Sequence, residues 1–280
     1  MQSIIITFFY LTSYLIRSRL IDMFEMFLLS VIQSMTEFLP VSSSGHLILA
    51  DSFGFSNQTL ATDVALHVGT LIAVVAYFHK DIWLLLTDIW HKGATRTLFL
   101  HLCVATIPVV IAGFFGKTII ETTLRSPFVV AFTAIFFGIL LWFVDKYAPK
   151  DKTLSGLTIK SAFCIGLAQV LALIPGTSRS GITMTCARAL HINRSEAARF
   201  SMLLSIPTIG LGALYILGQS ILNHTTHQLI SIDLLLGIVL SALFGLFAVW
   251  FLMRWIKTAS FTIFALYRIA LGLFLIYYFL

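Results

Sequence analysis

Gln33-Ser34-Met35-Thr36-Glu37-Phe38-Leu39-Pro40-Val41-Ser42-Ser43-Ser44-Gly45-His46 is a polar, proline-centred turn set inside apolar sequence. A second one reads Gln169-Val170-Leu171-Ala172-Leu173-Ile174-Pro175-Gly176-Thr177-Ser178-Arg179-Ser180-Gly181. In both, an apolar run is broken by Pro, Gly and Ser and resumes on the far side. Broken backbone at membrane depth is tolerated only where protein buries it or where it lines a wet cavity. Ionisable side chains at that depth are expensive, so Glu37, His46 and Arg179 stand out as functional candidates. The two turns read as halves of one site.

The rest of the chain supplies the membrane. Of 280 residues, 59% are hydrophobic and 11% charged, against about 25% charged in soluble domains. The apolar runs lack the alternation of an outer-membrane barrel, so the chain reads as an all-α polytopic membrane protein. The net charge of +6 does not point to nucleic acid, because Lys and Arg are scattered through short loops. Cys103, Cys164 and Cys186 lie in apolar stretches without metal-type spacing and read as packing residues.

Six runs reach the roughly 20 residues a span needs: 61–79, 98–116, 126–145, 199–219, 230–252 and 260–280. Regions 24–50 and 158–190, which hold the two turns, read instead as re-entrant helical hairpins. Loops 79–96, 146–160, 188–199 and 254–257 carry twelve of the eighteen Lys and Arg, which places them in the cytoplasm. The hairpins then enter from opposite faces. That is an inverted-topology repeat, with a polar site at the midplane. Its halves run roughly 23–145 and 158–280, within one membrane domain spanning 23–280. Residues 1–22 fit this plan poorly. We read them as an extension ahead of a start at Met23, with an extra interfacial helix as the other reading.

The chemistry-bearing residues fall into the two turns. Gln33 and Glu37, four apart, share a helix face. Glu37 suits a general base or a hard oxygen ligand for Mg²⁺ or Ca²⁺. Ser42, Ser43 and Ser44 offer hydroxyls that could cradle phosphate oxygens, supply a nucleophile or simply cap a helix. His46 is the expected proton shuttle near neutral pH. Arg179 matches phosphate oxygens with its planar fork, beside a helix start whose free N–H groups attract anions. Arg268 supplies a further phosphate contact or pairs with Glu37. Asp63 and His67 open a span and read as an interfacial cap more readily than as cavity lining. His224 and His227, in a polar loop, read as bland.

The first turn, from Gln33 through Glu37 to His46, resembles the first signature of the undecaprenyl-diphosphate phosphatases linked to bacitracin resistance. Pro175-Gly176-Thr177-Ser178-Arg179-Ser180-Gly181-Ile182-Thr183 resembles their second. Phe200 to Pro207 and Ala265 to Arg268 are also similar to family segments, so the likeness runs from about residue 24 to the C-terminus. It implies six spans plus two re-entrant hairpins, and hydrolysis of a polyprenyl diphosphate lipid with a divalent cation at the outer face of the bacterial inner membrane. Carried over residue by residue, Glu37, Ser43, His46 and Arg179 are the expected catalytic set, with Glu37 on the metal. Gln33, Ser42, Ser44, Thr177, Ser178, Ser180, Thr183 and Arg268 are expected to bind substrate. Gln33 stands where the family often has Glu, which weakens the case for a two-carboxylate metal site. The phosphatidic-acid phosphatase pattern fails on spacing: the position six residues after Arg179 is Thr185 rather than His.

Ser43 is the expected nucleophile, with direct water attack close behind. The competing class is a lipid flippase or anion transporter using the same midplane site. Gly210 and Gly212 permit close helix packing within the chain or in a homodimer.

Overall fold

The computed structural model describes residues 2–55, 59–88, 90, 93–223 and 231–279. His91, His224 and His227 lie outside these, as do the side chains of residues 1–18, Lys117 and Glu121. Eleven α-helices account for most of the described residues: α1 Gln2–Phe38, α2 Ser43–Ser52, α3 Leu60–Tyr77, α4 His79–Thr87, α5 Ala94–Thr123, α6 Pro127–Tyr147, α7 Ile159–Val170, α8 Arg179–Ala189, α9 Arg194–Leu222, α10 Ile232–Trp255 and α11 Thr262–Phe279. Six of these, α3, α5, α6, α9, α10 and α11, contain stretches long and apolar enough to cross a membrane, matching the six runs read from sequence. Residues 2–22 do not form a separate helix, because α1 continues without a break from Gln2 through residue 23. Arg19 pairs with Asp233 at the start of α10 at 2.6 Å.

The helix ends carry their own signals. Thr59, Thr158, Ser178, Asn193 and Ser231 each accept a hydrogen bond from the backbone N–H three residues on, which starts α3, α7, α8, α9 and α10. Such a cap contributes about 1 kcal/mol. Asp63, expected as an interfacial cap, is not one: Thr59 fills that position.

The order of elements recurs. The shift that carries Ser42 onto Ser178 carries Gln33 onto Gln169 and Gly45 onto Gly181, and it brings α3, α5 and α6 onto α9, α10 and α11. Packing follows the same exchange. α1 lies on α10 as α7 lies on α5, and α6 pairs with α11. Small residues bring these helices close. A Cβ on Gly166 of α7 would stand 2.5 Å from the Ala105 carbonyl oxygen of α5, and one on Gly272 of α11 2.7 Å from that of Ala131. Gly210 and Gly212 do not serve this way, since added side-chain atoms there would meet almost nothing.

Beneath the basic loops, Asp145 at the end of α6 ties four segments together. It accepts from Arg188 at 3.2 Å, from Arg194 at 2.7 and 2.8 Å, and from the Phe261 N–H at 3.0 Å. Arg188 spends its remaining donors on the carbonyls of Ala148, Pro149 and Ile192.

Candidate active site

The two turns meet in the middle of the bundle. Ser42 and Ser178, at matching positions ahead of α2 and α8, have φ of 78° and 67°. This left-handed region disfavours residues with a Cβ, and such strain clusters at functional sites. Gly176, at φ 88°, is required: a Cβ would fall 2.2 Å from Thr133 Oγ1. Its N–H donates to Ser44 Oγ at 3.1 Å, and Ser180 Oγ donates to the Leu39 carbonyl at 3.1 Å, so each turn braces the other.

Glu37 is the hub. Its Oε1 accepts from Arg179 Nη2 at 2.9 Å, while Oε2 accepts from Ser43 Oγ at 2.9 Å and from Gln33 Nε2 at 3.2 Å. The other amide hydrogen of Gln33 goes to His67 Nε2 at 3.1 Å. Because His67 Nδ1 faces the Asp63 carbonyl at 2.7 Å, which can only accept, the ring proton belongs on Nδ1 and Nε2 offers its lone pair. Arg179 also donates from Nη1 to the Ser201 carbonyl at 3.2 Å. A serine hydroxyl, a carboxylate and a guanidinium are thus joined in one line of hydrogen bonds.

That line opens on a cavity of about 420 Å³. Glu37, Ser42, Ser43, Ser44, Ser178 and Arg179 line it from the two turns, together with Asp63, His67, Arg125 and Thr208. Leu60 and Arg125, at the ends of spans away from the basic loops, mark the side on which it lies. Six of the predicted site residues therefore converge on it.

The others sit behind the wall. Gln33 is buried and reaches the cavity only through Glu37 and His67. Arg268 points into the protein, donating to the carbonyls of Gly176 at 3.0 Å and Thr177 at 2.7 Å; it neither pairs with Glu37 nor lines the cavity. Thr177, Ser180 and Thr183 are buried too, and Thr183 Oγ1 bonds Ser201 Oγ at 2.7 Å. These four shape the second turn where the sequence suggested substrate contacts. His46 is also placed elsewhere. Its Nδ1–H donates to the Ser42 carbonyl at 2.7 Å, and its Nε2 accepts from the Tyr267 hydroxyl at 2.6 Å. The ring stacks on Tyr267, outside the cavity lining, and its hydrogen bonds go to Ser42 and Tyr267 rather than to Glu37 or Ser43.

Sequence reasoning passed over Arg125 and Thr208 and undervalued Asp63 and His67. The usable signal was spacing: Asp63 and His67 are four apart on one face of α3. Among the described residues no group of three His, Cys, Asp or Glu side chains is gathered as a metal cage. Mg²⁺, however, commonly binds one or two carboxylates together with substrate phosphates. Asp63 lines the cavity and its buried Oδ1 has no hydrogen-bond partner among the described residues, so its carboxylate suits this shared arrangement.

Comparison with known proteins gives this geometry a family. The family described as bacitracin resistance protein BacA matches residues 26–274. A protein of Desulforudis audaxviator named undecaprenyl-diphosphatase is 45% identical over 255 residues, covering 89% of this chain and 95% of its own. Proteins of the same name from Alteromonas mediterranea and Roseobacter denitrificans are each 44% identical, covering 91% of this chain and 98% of their own. Matched along nearly its whole length, the chain belongs to the BacA family of bacitracin resistance proteins.

Proposed function

We propose that this chain is an undecaprenyl-diphosphate phosphatase: it hydrolyses the lipid diphosphate to undecaprenyl phosphate and inorganic phosphate, returning the carrier to cell-wall synthesis and lowering sensitivity to bacitracin. The observation that carries the reading is the hydrogen-bonded line from Ser43 through Glu37 to Arg179 at the wall of the cavity. Phosphoryl transfer needs a positioned nucleophile, an acceptor for its proton and fixed positive charge on the equatorial oxygens. Ser43, Glu37 and Arg179 supply these in order. A flippase or anion carrier has no use for a serine hydroxyl donating to a carboxylate, so transport is not favoured.

In the reaction, Ser43 Oγ attacks the terminal phosphorus as its proton passes to Glu37. The bond to the bridging oxygen breaks, and undecaprenyl phosphate leaves with the electron pair. Water then cleaves the phosphoserine, regenerating Ser43 and releasing phosphate. Arg179, Arg125 and the N–H groups at the start of α8 face the developing charge. A Mg²⁺ or Ca²⁺ ion shared by the substrate phosphates with Glu37 and Asp63 would supply further charge neutralisation. His46 acts as a positioning residue that holds the strained Ser42 carbonyl against Tyr267.

The placement in the cell belongs to the same reading. α7 and α8, the two arms of 158–190, have 12 and 11 residues and α2 has 10, so at about 1.5 Å per residue none crosses a hydrocarbon core of about 30 Å; the first arm of 24–50 is the end of the longer α1. We take 24–50 and 158–190 as re-entrant hairpins of an inverted repeat. With the basic loops in the cytoplasm, the cavity opens at the outer face of the inner membrane. The test is phosphate release from undecaprenyl diphosphate by the purified protein, with acid-quench trapping of labelled phosphate on the chain. Label on wild type that is absent in Ser43→Ala supports the serine route; turnover without label points to direct water attack. No release from folded, lipid-supplied protein overturns the proposal.

A further inference from the structure

Two helix pairs occupy equivalent places in the recurring order and are built differently. α3 and α10 pack in close contact: a Cβ on Gly69 would lie 2.5 Å from the Ile238 carbonyl oxygen, and one on Gly245 3.0 Å from Ala73 Cβ. The shift that superposes the repeats puts Ser205 and Val109 at the places of those two glycines, on α9 and α5. Neither position is a glycine in the second pair, and Val109 lines a space between its helices. Where the first pair is closed, the second leaves a trough.

The trough adjoins the polar cavity. Thr208 and Gly212 line both the polar cavity and an apolar space of about 240 Å³ between α5 and α9. Val110 and Leu211 line that space and also a further, wholly apolar one of about 530 Å³. On α5 the lining residues Gly113, Val110, Thr106, Cys103 and Phe99 step by three or four, so they form one helix face running away from the polar site. Polarity changes along this path from carboxylate and guanidinium to hydrocarbon across three spaces that share lining residues.

We propose that the trough between α5 and α9 is the binding site for the prenyl chain of the substrate. This rests on the reading of the polar cavity as a diphosphate site. Bilayer lipid tails are as apolar as leucine, so the trough gains nothing from hydrophobicity alone; it acts by shape and alignment. Seating the isoprene units along α5 fixes the direction from which the diphosphate reaches Ser43, which is where positioning raises rate. The trough therefore discriminates by chain length, and long prenyl diphosphates use it more fully than short ones.

Glycine positions make the test clean. A Cβ on Gly113 would meet only Leu173 Cδ2 at 3.9 Å, so Gly113→Phe fills the trough without striking the backbone. Gly218, on α9 but lining neither space, also faces open space and provides Gly218→Phe as the control. Steady-state kinetics with fifty-five-carbon and fifteen-carbon prenyl diphosphates should show Gly113→Phe lowering the long-to-short ratio of kcat/KM by about tenfold, mainly through KM. Gly218→Phe should leave that ratio where wild type has it. In parallel, a prenyl diphosphate with a photoreactive group on its tail should label the α5 segment 99–113 of wild type, and do so less in Gly113→Phe. An unchanged ratio with unchanged labelling, or an equal shift in the control, overturns the trough. Labelling of α5 without any phosphate release would keep the trough and overturn the hydrolysis reading instead.

Discussion

Asp145 and Glu37 are both carboxylates buried in an apolar bundle and both held by arginines, yet their surroundings point to opposite uses. Asp145 is 1% exposed, and its partners are two guanidiniums and a backbone N–H. Every one of them joins helix ends, and nothing around them can react. Glu37 is 8% exposed and has one guanidinium, one amide and one serine hydroxyl, beside a cavity with space for a ligand. Burial of charge is therefore the same signal in both places. What separates a staple from a catalytic centre is the open volume and the hydroxyl.

Substitution at the two carboxylates should break the comparison most sharply. Removing one partner of a buried ion cluster leaves uncompensated charge and costs about 3–5 kcal/mol. Asp145→Ala strands Arg188 and Arg194, so its thermal unfolding in detergent should move well below wild type and its yield should fall. Glu37→Ala and Arg179→Ala leave a partner that the adjoining cavity can hydrate, so they should melt closer to wild type than Asp145→Ala and lose at least about 10³-fold in kcat, through lost proton acceptance and lost charge on the phosphoryl oxygens. If Glu37→Ala unfolds as readily as Asp145→Ala while keeping turnover per folded molecule, Glu37 is a second staple and the site lies elsewhere.

The hydroxyl is the second distinguishing element. Ser43→Ala should lower kcat by about 10²- to 10⁴-fold without raising KM comparably, because Ser42, Ser44 and Arg179 still face the ligand. Activity close to wild type in this variant would transfer the nucleophile to water and leave Glu37 as its base.

Asp63 sharpens the comparison from α3. If Mg²⁺ or Ca²⁺ is shared between its carboxylate and the diphosphate, EDTA should stop phosphate release and either cation should restore it. Asp63→Asn should then raise the cation concentration for half-maximal rate by about tenfold with a smaller change in kcat. A titration identical to wild type would remove Asp63 from the cation.

Much of this was legible in the sequence, because the membrane imposes strong rules. Hydropathy marked the six spans, and Pro, Gly and Ser within apolar runs marked both turns. Glu37 and Arg179 stood out because a charge is costly in an apolar segment, whereas Ser43 was set apart from its serine neighbours only through the family resemblance. Arg125, Asp63 and His67 were harder, since they reach the cavity from α3 and from the loop after α5, and only tertiary packing brings those ends to the turns. Arg268 shows the converse. Its charge at mid-span was visible, but its direction was set by the carbonyls of Gly176 and Thr177, which strained turn geometry turns toward it.

The smallest single effect is that of Tyr267→Phe, and with His46→Ala it tests the placement of His46 most directly. A histidine that moved the reacting proton would lose about 10²-fold or more on substitution, as general acid–base groups do. The ring instead bridges the Ser42 carbonyl and the Tyr267 hydroxyl, away from the cavity lining. Each such hydrogen bond contributes about 1 kcal/mol, which is about fivefold in rate if it is felt fully at Ser43. Tyr267→Phe should therefore cost about fivefold in kcat, and His46→Ala, losing both bonds and the ring stack, about thirtyfold. A double variant no worse than His46→Ala would show the two acting as one unit, since Tyr267 reaches the turn only through the ring. A loss in His46→Ala beyond 10³-fold, with Tyr267→Phe silent, would return the proton shuttle to His46. It would also require the first turn to rotate that ring into the cavity during turnover.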